Sequence, residues 1–165
     1  MMTKKPILFA FVLTLSGVLV LAQTKQTKPT AAAQNTIFSS AELQWQKGPA
    51  SLPEGAQFVV LDGDPTKEGS FTIRLKMPAG YKIPPHTHPT AERVTVISGV
   101  AHLGYGDKFD ESAGRELKTG DFTVIPAGVA HFAWSRGEAI LQIHSEGPFQ
   151  RKFINPADEP ASAKK

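Results

Sequence analysis

The chain has 165 residues, 18 Lys and Arg against 15 Asp and Glu, a formal net charge of +3 and no cysteine. That length suits one domain, and the missing thiols exclude disulfides, thiolate metal sites and cysteine nucleophiles. Removing Lys4 and Lys5 with the leader-like first residues brings the charge to +1, which leaves no electrostatic case for a nucleic-acid partner or an anionic membrane.

Residues 1–22 open with Lys4 and Lys5, continue with an apolar run from Ile7 to Leu21 and end on the small residue Ala22. This is the layout of a secretory signal peptide. The run is shorter than the ~20 residues that a spanning helix needs. The expectation is export to the periplasm or the medium, with no membrane association once the signal is removed. Residues 23–36, "QTKQTKPTAAAQNT", are small and polar and read as a flexible linker. Ile37, Phe38, Leu43 and Trp45 bring in the first large apolar side chains, so a domain is expected over 37–155, followed by a polar, disordered tail over 156–165.

Within the domain the pattern is all-β. "GSFTIRLKMPAG" alternates, with Phe71, Ile73, Leu75 and Met77 on one face and Thr72, Arg74 and Lys76 on the other. "AQFVVLDGD", "ERVTVISG", "VAHLGYGD", "DFTVIPAG", "AHFAWSRG" and "EAILQIHSEG" are further short strands. Glycine and proline, 14 and 13 residues, punctuate them. Many short strands at even spacing point to a sandwich or a barrel.

Chemistry concentrates in "PPHTHPTAERVTVISG", Pro84 to Gly99. His86 and His88 are two apart, so an extended segment turns them to one side. Glu92 has the same parity. Pro84 and Pro85 stiffen the approach. Two imidazoles and a carboxylate converging on one face suit a divalent transition metal. In "GDFTVIPAGVAHFAWS" a turn at Pro126-Ala127-Gly128 precedes a strand that begins at His131.

Together the two stretches resemble the motifs of the cupin superfamily. The first motif is matched by Gly80, His86, His88, Glu92 and Gly99, and the second by Gly120, Pro126, Gly128 and His131, with Ser135 where the family carries asparagine. The resemblance implies a conical antiparallel β-barrel of the jelly-roll type with a metal inside. His86, His88, Glu92 and His131 would be its ligands. The ion would be iron(II) first, with manganese, nickel, zinc or copper as alternatives. Adjacent open positions would admit a bidentate substrate or dioxygen, and Glu92 could double as a catalytic proton acceptor. A dioxygenase-type oxidoreductase acting on a small molecule is the leading expectation. A metal-dependent isomerase or lyase, and a non-catalytic binding or sensing module, are the alternatives.

Other residues are weighed by parity. Gln142 and His144 share a face of their strand and would reach the pocket if that face points inward. His102 could act as a proton shuttle in the pocket or simply stand half-exposed on its strand. If His131 points inward, Phe132 and Trp134 point outward and need a cover. The "IFSSAELQW" segment could supply it within the chain or across a homodimer. The charged stretch "GDKFDESAGRELKTG" reads as a solvated connection.

Overall fold

The computed structural model describes residues 36–161. The leader 1–22, the linker as far as residue 35 and residues 162–165 lie outside the described residues.

The described residues form an all-β domain with strands β1 (Gln46–Lys47), β2 (Gln57–Asp62), β3 (Gly69–Met77), β4 (Lys82–Thr87), β5 (Glu92–Ser98), β6 (Val100–Tyr105), β7 (Arg115–Lys118), β8 (Phe122–Ile125), β9 (His131–Trp134), β10 (Ala139–Gly147) and β11 (Lys152–Phe153). They make two antiparallel sheets. One has the order β1-β2-β3-β10-β5-β8 and the other β11-β4-β9-β6-β7. Among the described residues, no helix is long and apolar enough to cross a membrane.

Period-two patterning decides which face goes inward. On β3, Phe71, Ile73, Leu75 and Met77 are buried, as their alternation predicts. β10 pairs with β3 along its whole length and buries Leu141, Ile143 and Ser145. Val94 and Val96 of β5 and Ile125 of β8 extend the same core, and Ile83 of β4 with Ala101 and Leu103 of β6 close it from the facing sheet.

β4 shows why two prolines precede the histidines. Ile83 pairs with Ala133 and His86 with His131, so three residues on β4 span two on β9. The extra residue is a β-bulge at Pro84-Pro85. Proline has no N–H to give a ladder, which suits it to such a site. The bulge shifts the parity, so Ile83 and His86 both face inward although they are three positions apart.

Three expectations are corrected here. Gln142 and His144 face outward, because the more apolar alternate set on β10, Leu141 and Ile143, takes the core. They join an outer-face chain in which Arg74 Nε donates to Gln142 Oε1 at 3.1 Å, Gln142 Nε2 meets His144 Nε2 at 3.2 Å, and His144 Nδ1 meets Thr72 Oγ1 at 2.8 Å. Phe132 and Trp134 do face outward, but their cover is the loop between β6 and β7. Phe109 packs on Phe132 and Trp134 with ring centroids 5.0 and 5.6 Å apart. Ile37 and Phe38, proposed as that cover, stay exposed. The aromatic face is therefore closed within one chain and makes no demand for a second subunit. Part of the tail is ordered: Pro156–Asp158 form a 3₁₀ turn capped by Asn155, whose side chain accepts from Ala157 N at 3.1 Å.

Candidate metal centre

His86 and His88 reach the interior from the end of β4 and the residue after it, and His131 from the start of β9, directly opposite His86. Ring centroids are 4.2 Å apart for His86–His131, 5.0 Å for His86–His88 and 5.5 Å for His88–His131. One ring nitrogen from each of the three lies within 4.8 Å of the others. Glu92, first residue of β5, borders this set. Its Oε2 is 3.3 Å from His131 Nε2 and 3.8 Å from His88 Nε2. All four side chains are buried. The turn of the second motif is tied to the first by Gly128 N donating to His88 O at 2.9 Å.

Each imidazole is held from behind. Nδ1 of His86 donates to Pro84 O at 2.7 Å, Nδ1 of His88 to Gln150 O at 2.6 Å, and Nδ1 of His131 to Val129 O at 3.0 Å. A carbonyl only accepts, so each Nδ1 carries the proton and the neutral ring presents a bare lone pair at Nε2. Nε2 of His88 and of His131 are buried without a protein hydrogen-bond partner. An acceptor carboxylate therefore faces acceptor nitrogens at short range. A cation among them satisfies all of these atoms at once, so the donor set fits a divalent transition metal.

The electrostatics agree. Burial, with the nearby charges of Arg151, His131 and His88, holds the His86 pKa well below its ordinary value. Burial likewise pushes His88 down to about 4. Neutral rings are the form that binds metal. Burial pushes the Glu92 carboxyl up, but the His131 ring 3.3 Å away, with His88 and the Arg151 guanidinium nearby, outweighs it, so the carboxyl is held below its usual range.

His102, the remaining candidate, is not at the centre. It lies on the outer face of β6, stacked on Trp134 with centroids 4.7 Å apart and Nε2 3.7 Å from Glu116. Two residues outside the motifs do reach the centre. Phe149 stacks on the His88 ring at 4.3 Å and 10°. Arg151 turns its guanidinium to the same side of the barrel, where Nη1 donates to Ser51 O at 3.0 Å and Nε is buried with no protein partner. The signal for both was the alternation Phe149, Arg151, Phe153, which puts an arginine at a core-facing position between two aromatics.

A family profile described as "ChrR Cupin-like domain" matches residues 33–150. The chain is similar to germin-like protein 9-3 of Oryza sativa subsp. japonica, 32% identical over 83 residues, covering 50% of this chain and 37% of that protein. It is similar to oxalate oxidase 1 of Hordeum vulgare, 29% identical over 147 residues, covering 81% of this chain and 72% of that one. The alignments to the first four curated relatives span only 37–40% of those proteins' lengths. Among solved structures, the polyketide cyclase RemF from Streptomyces resistomycificus superposes with a TM-score of 0.65 at 12% identity, over 79% of this chain and 93% of that one, which is a likeness of fold alone.

Proposed function

Because the chain belongs to the ChrR cupin-like domain family, a branch of the cupin superfamily, we propose that it is a metal-dependent oxidoreductase of the dioxygenase type acting on a small oxygen-donor molecule. The observation that carries this is the convergence of three carbonyl-anchored imidazoles and a carboxylate, with two Nε2 atoms left without a protein partner. His86, His88 and His131 would hold the ion, with Glu92 as the fourth donor. Iron(II) is favoured, and manganese, nickel, zinc and copper suit the same donors. Bound there, the ion would supply Lewis acidity toward a chelating substrate and, if redox-active, electron transfer.

The chain's own groups have separate tasks. The three backbone carbonyls fix ring orientation and keep the Nε2 lone pairs inward. Glu92, ionised at neutral pH, is placed to accept a proton at Oε2 whenever it is not shared with the ion. Phe149 covers one face of His88 and keeps water from it. Similarity to an oxalate oxidase supports oxidation of a small carboxylate as the reaction class.

A second reading follows from the depth of burial. His86 and His131 are each 2% exposed, and so enclosed a centre also suits a binding or sensing module.

Oxygen uptake separates the two. The protein is reconstituted anaerobically with iron(II) and offered oxalate and a panel of small diketones, catechols and flavonols. Uptake that needs both iron and substrate, and is lost in His131→Ala, is the expected result. No uptake with iron bound would discard the dioxygenase reading in favour of a non-oxidative lyase, an isomerase or a sensor.

A further inference from the structure

Arg151 is a cation in a place that offers it little. Its guanidinium borders a cavity of about 150 Å³ whose walls are Phe58, Ile73, Leu75 and Ile143, with His88 at the same cavity. Its one bonded nitrogen, Nη1, reaches the backbone of Ser51, 3.0 Å away, and that residue's hydroxyl at 3.5 Å. Its Nε has no protein partner. Among the described residues no carboxylate lies within ion-pair distance of it, and Glu92 acts on it only through space. Arg151 is half-buried, but its Nε is enclosed and unpaired, and a polar donor shut away from water without a partner is unfavourable unless a ligand satisfies it. A guanidinium presents donors in a planar fork that matches a carboxylate.

The rest of the cavity limits what the anion can be. Its walls are mostly aliphatic and aromatic, with Ser51 and Thr66 as polar exceptions, and ~150 Å³ is enough for a benzene ring. We infer that the cavity takes a small organic carboxylate, its anionic end on Arg151 and its ring-sized or branched apolar body between β3 and β10, beside His88. The inference rests on the metal reading above insofar as it names that centre's substrate class. It excludes small dianions without an apolar body as good ligands, since they would leave the wall unfilled, and neutral ligands, since they would leave the guanidinium unpaired. Ser51 and Leu52 line the same cavity, and Ser51 O is the acceptor that Arg151 already holds.

The test is calorimetric titration of the full chain, metal-free and cobalt(II)-loaded, with benzoate and with its neutral isostere benzamide. Benzoate is expected to bind at least about tenfold more tightly than benzamide, the margin of a charge-assisted bidentate contact. Arg151→Gln should erase that preference and leave cobalt content unchanged, whereas an arginine that only latches the Ser51 segment would alter stability and not the benzoate-to-benzamide ratio. Ile143→Phe, which fills the cavity and keeps the arginine, should weaken both ligands. If Arg151→Gln does not fold, the wild-type ratio and Ile143→Phe decide. Equal binding of the two ligands, no binding of benzoate at millimolar concentration, or a preference that survives Arg151→Gln overturns the inference. A preference that holds in protein unable to take up cobalt leaves this inference standing and removes the metal reading. Cobalt uptake without a preference does the reverse.

Discussion

Each of the three imidazoles at the centre gives its Nδ1 proton to a carbonyl from a different stretch of chain: Pro84, Val129 and Gln150. Orientation thus comes from backbone, which a side-chain substitution elsewhere does not easily disturb. Replacing His88 with alanine should lower metal affinity by more than ~100-fold, beyond what is typical when only a supporting partner of a ligand is lost. The variant should remain folded, since the fold rests on the apolar core of β3, β5 and β10. Metal analysis alongside circular dichroism checks both halves, and full occupancy in the variant would remove His88 from the ligand set. The His86–His88 pair was legible from its i, i+2 spacing, and His131 through the resemblance of the two stretches to the cupin motifs. Gln142 and His144 were not, because parity relates residues to one another and says nothing of which side is inward. The deciding fact was that Leu141 and Ile143 form the more apolar alternate set. Arg151 escaped notice because an arginine at core parity looks like a surface residue until its two phenylalanine neighbours are counted.

At the level of elements, the outer face of β6 and β9 is built by removing a side chain. Gly104 pairs with Phe132, and a methyl group at Gly104 would run into the Phe132 ring. Gly104→Ala should therefore destabilise the fold by roughly 1–3 kcal/mol, the usual cost of overpacking, read as a lowered urea midpoint with metal affinity preserved. The strands were legible from alternation. The cover over Trp134 was not, because the loop that provides it reads as charged and solvated. Phe109 was the one large apolar side chain between β6 and β7 to suggest otherwise. The loop before β2 is secured differently: Tyr81 Oη donates to Pro53 O at 2.6 Å, and burial, against the nearby Arg151 charge, pushes the phenol up to about 12. A phenol that keeps its proton longer when folded stabilises fully below its unfolded value of about 10, and that stability is lost as pH rises toward 12. The loss should reach roughly 2–3 kcal/mol. Tyr81→Phe should lack this alkaline decline. Parallel slopes for the two proteins between pH 9 and 12 would refute it.

Over the whole molecule, the centre joins both sheets: His86, His88 and His131 come from the five-stranded sheet and Glu92 from the six-stranded one. An ion bound there ties the two together and binds the folded state alone. At a free concentration about 100 times its dissociation constant it should add ~2.7 kcal/mol of stability, a rise in melting temperature of several degrees for a domain of this size. Scanning calorimetry of chelated and cobalt-loaded protein reads this directly. An unchanged midpoint would mean that the four donors do not act together. A sandwich or barrel was visible in the strand count and turn spacing, and its jelly-roll type in the resemblance to the cupin motifs. Which strands neighbour which was not, since pairing depends on contacts that no local pattern records.

The position of β10 has a temporal consequence. It lies between β3 and β5 in its sheet, yet of the eleven strands among the described residues it is the tenth to leave the ribosome. The carbonyl that orients His88 follows it, at Gln150. Until that segment has emerged, β3 and β5 have no strand between them and His88 has no backbone acceptor. Such pairing across distant parts of a chain is slow. Completion of the centre is therefore a late event in the folding of this domain, and a ribosome stalled before residue 147 would carry a nascent chain with its histidines present and its centre unbuilt.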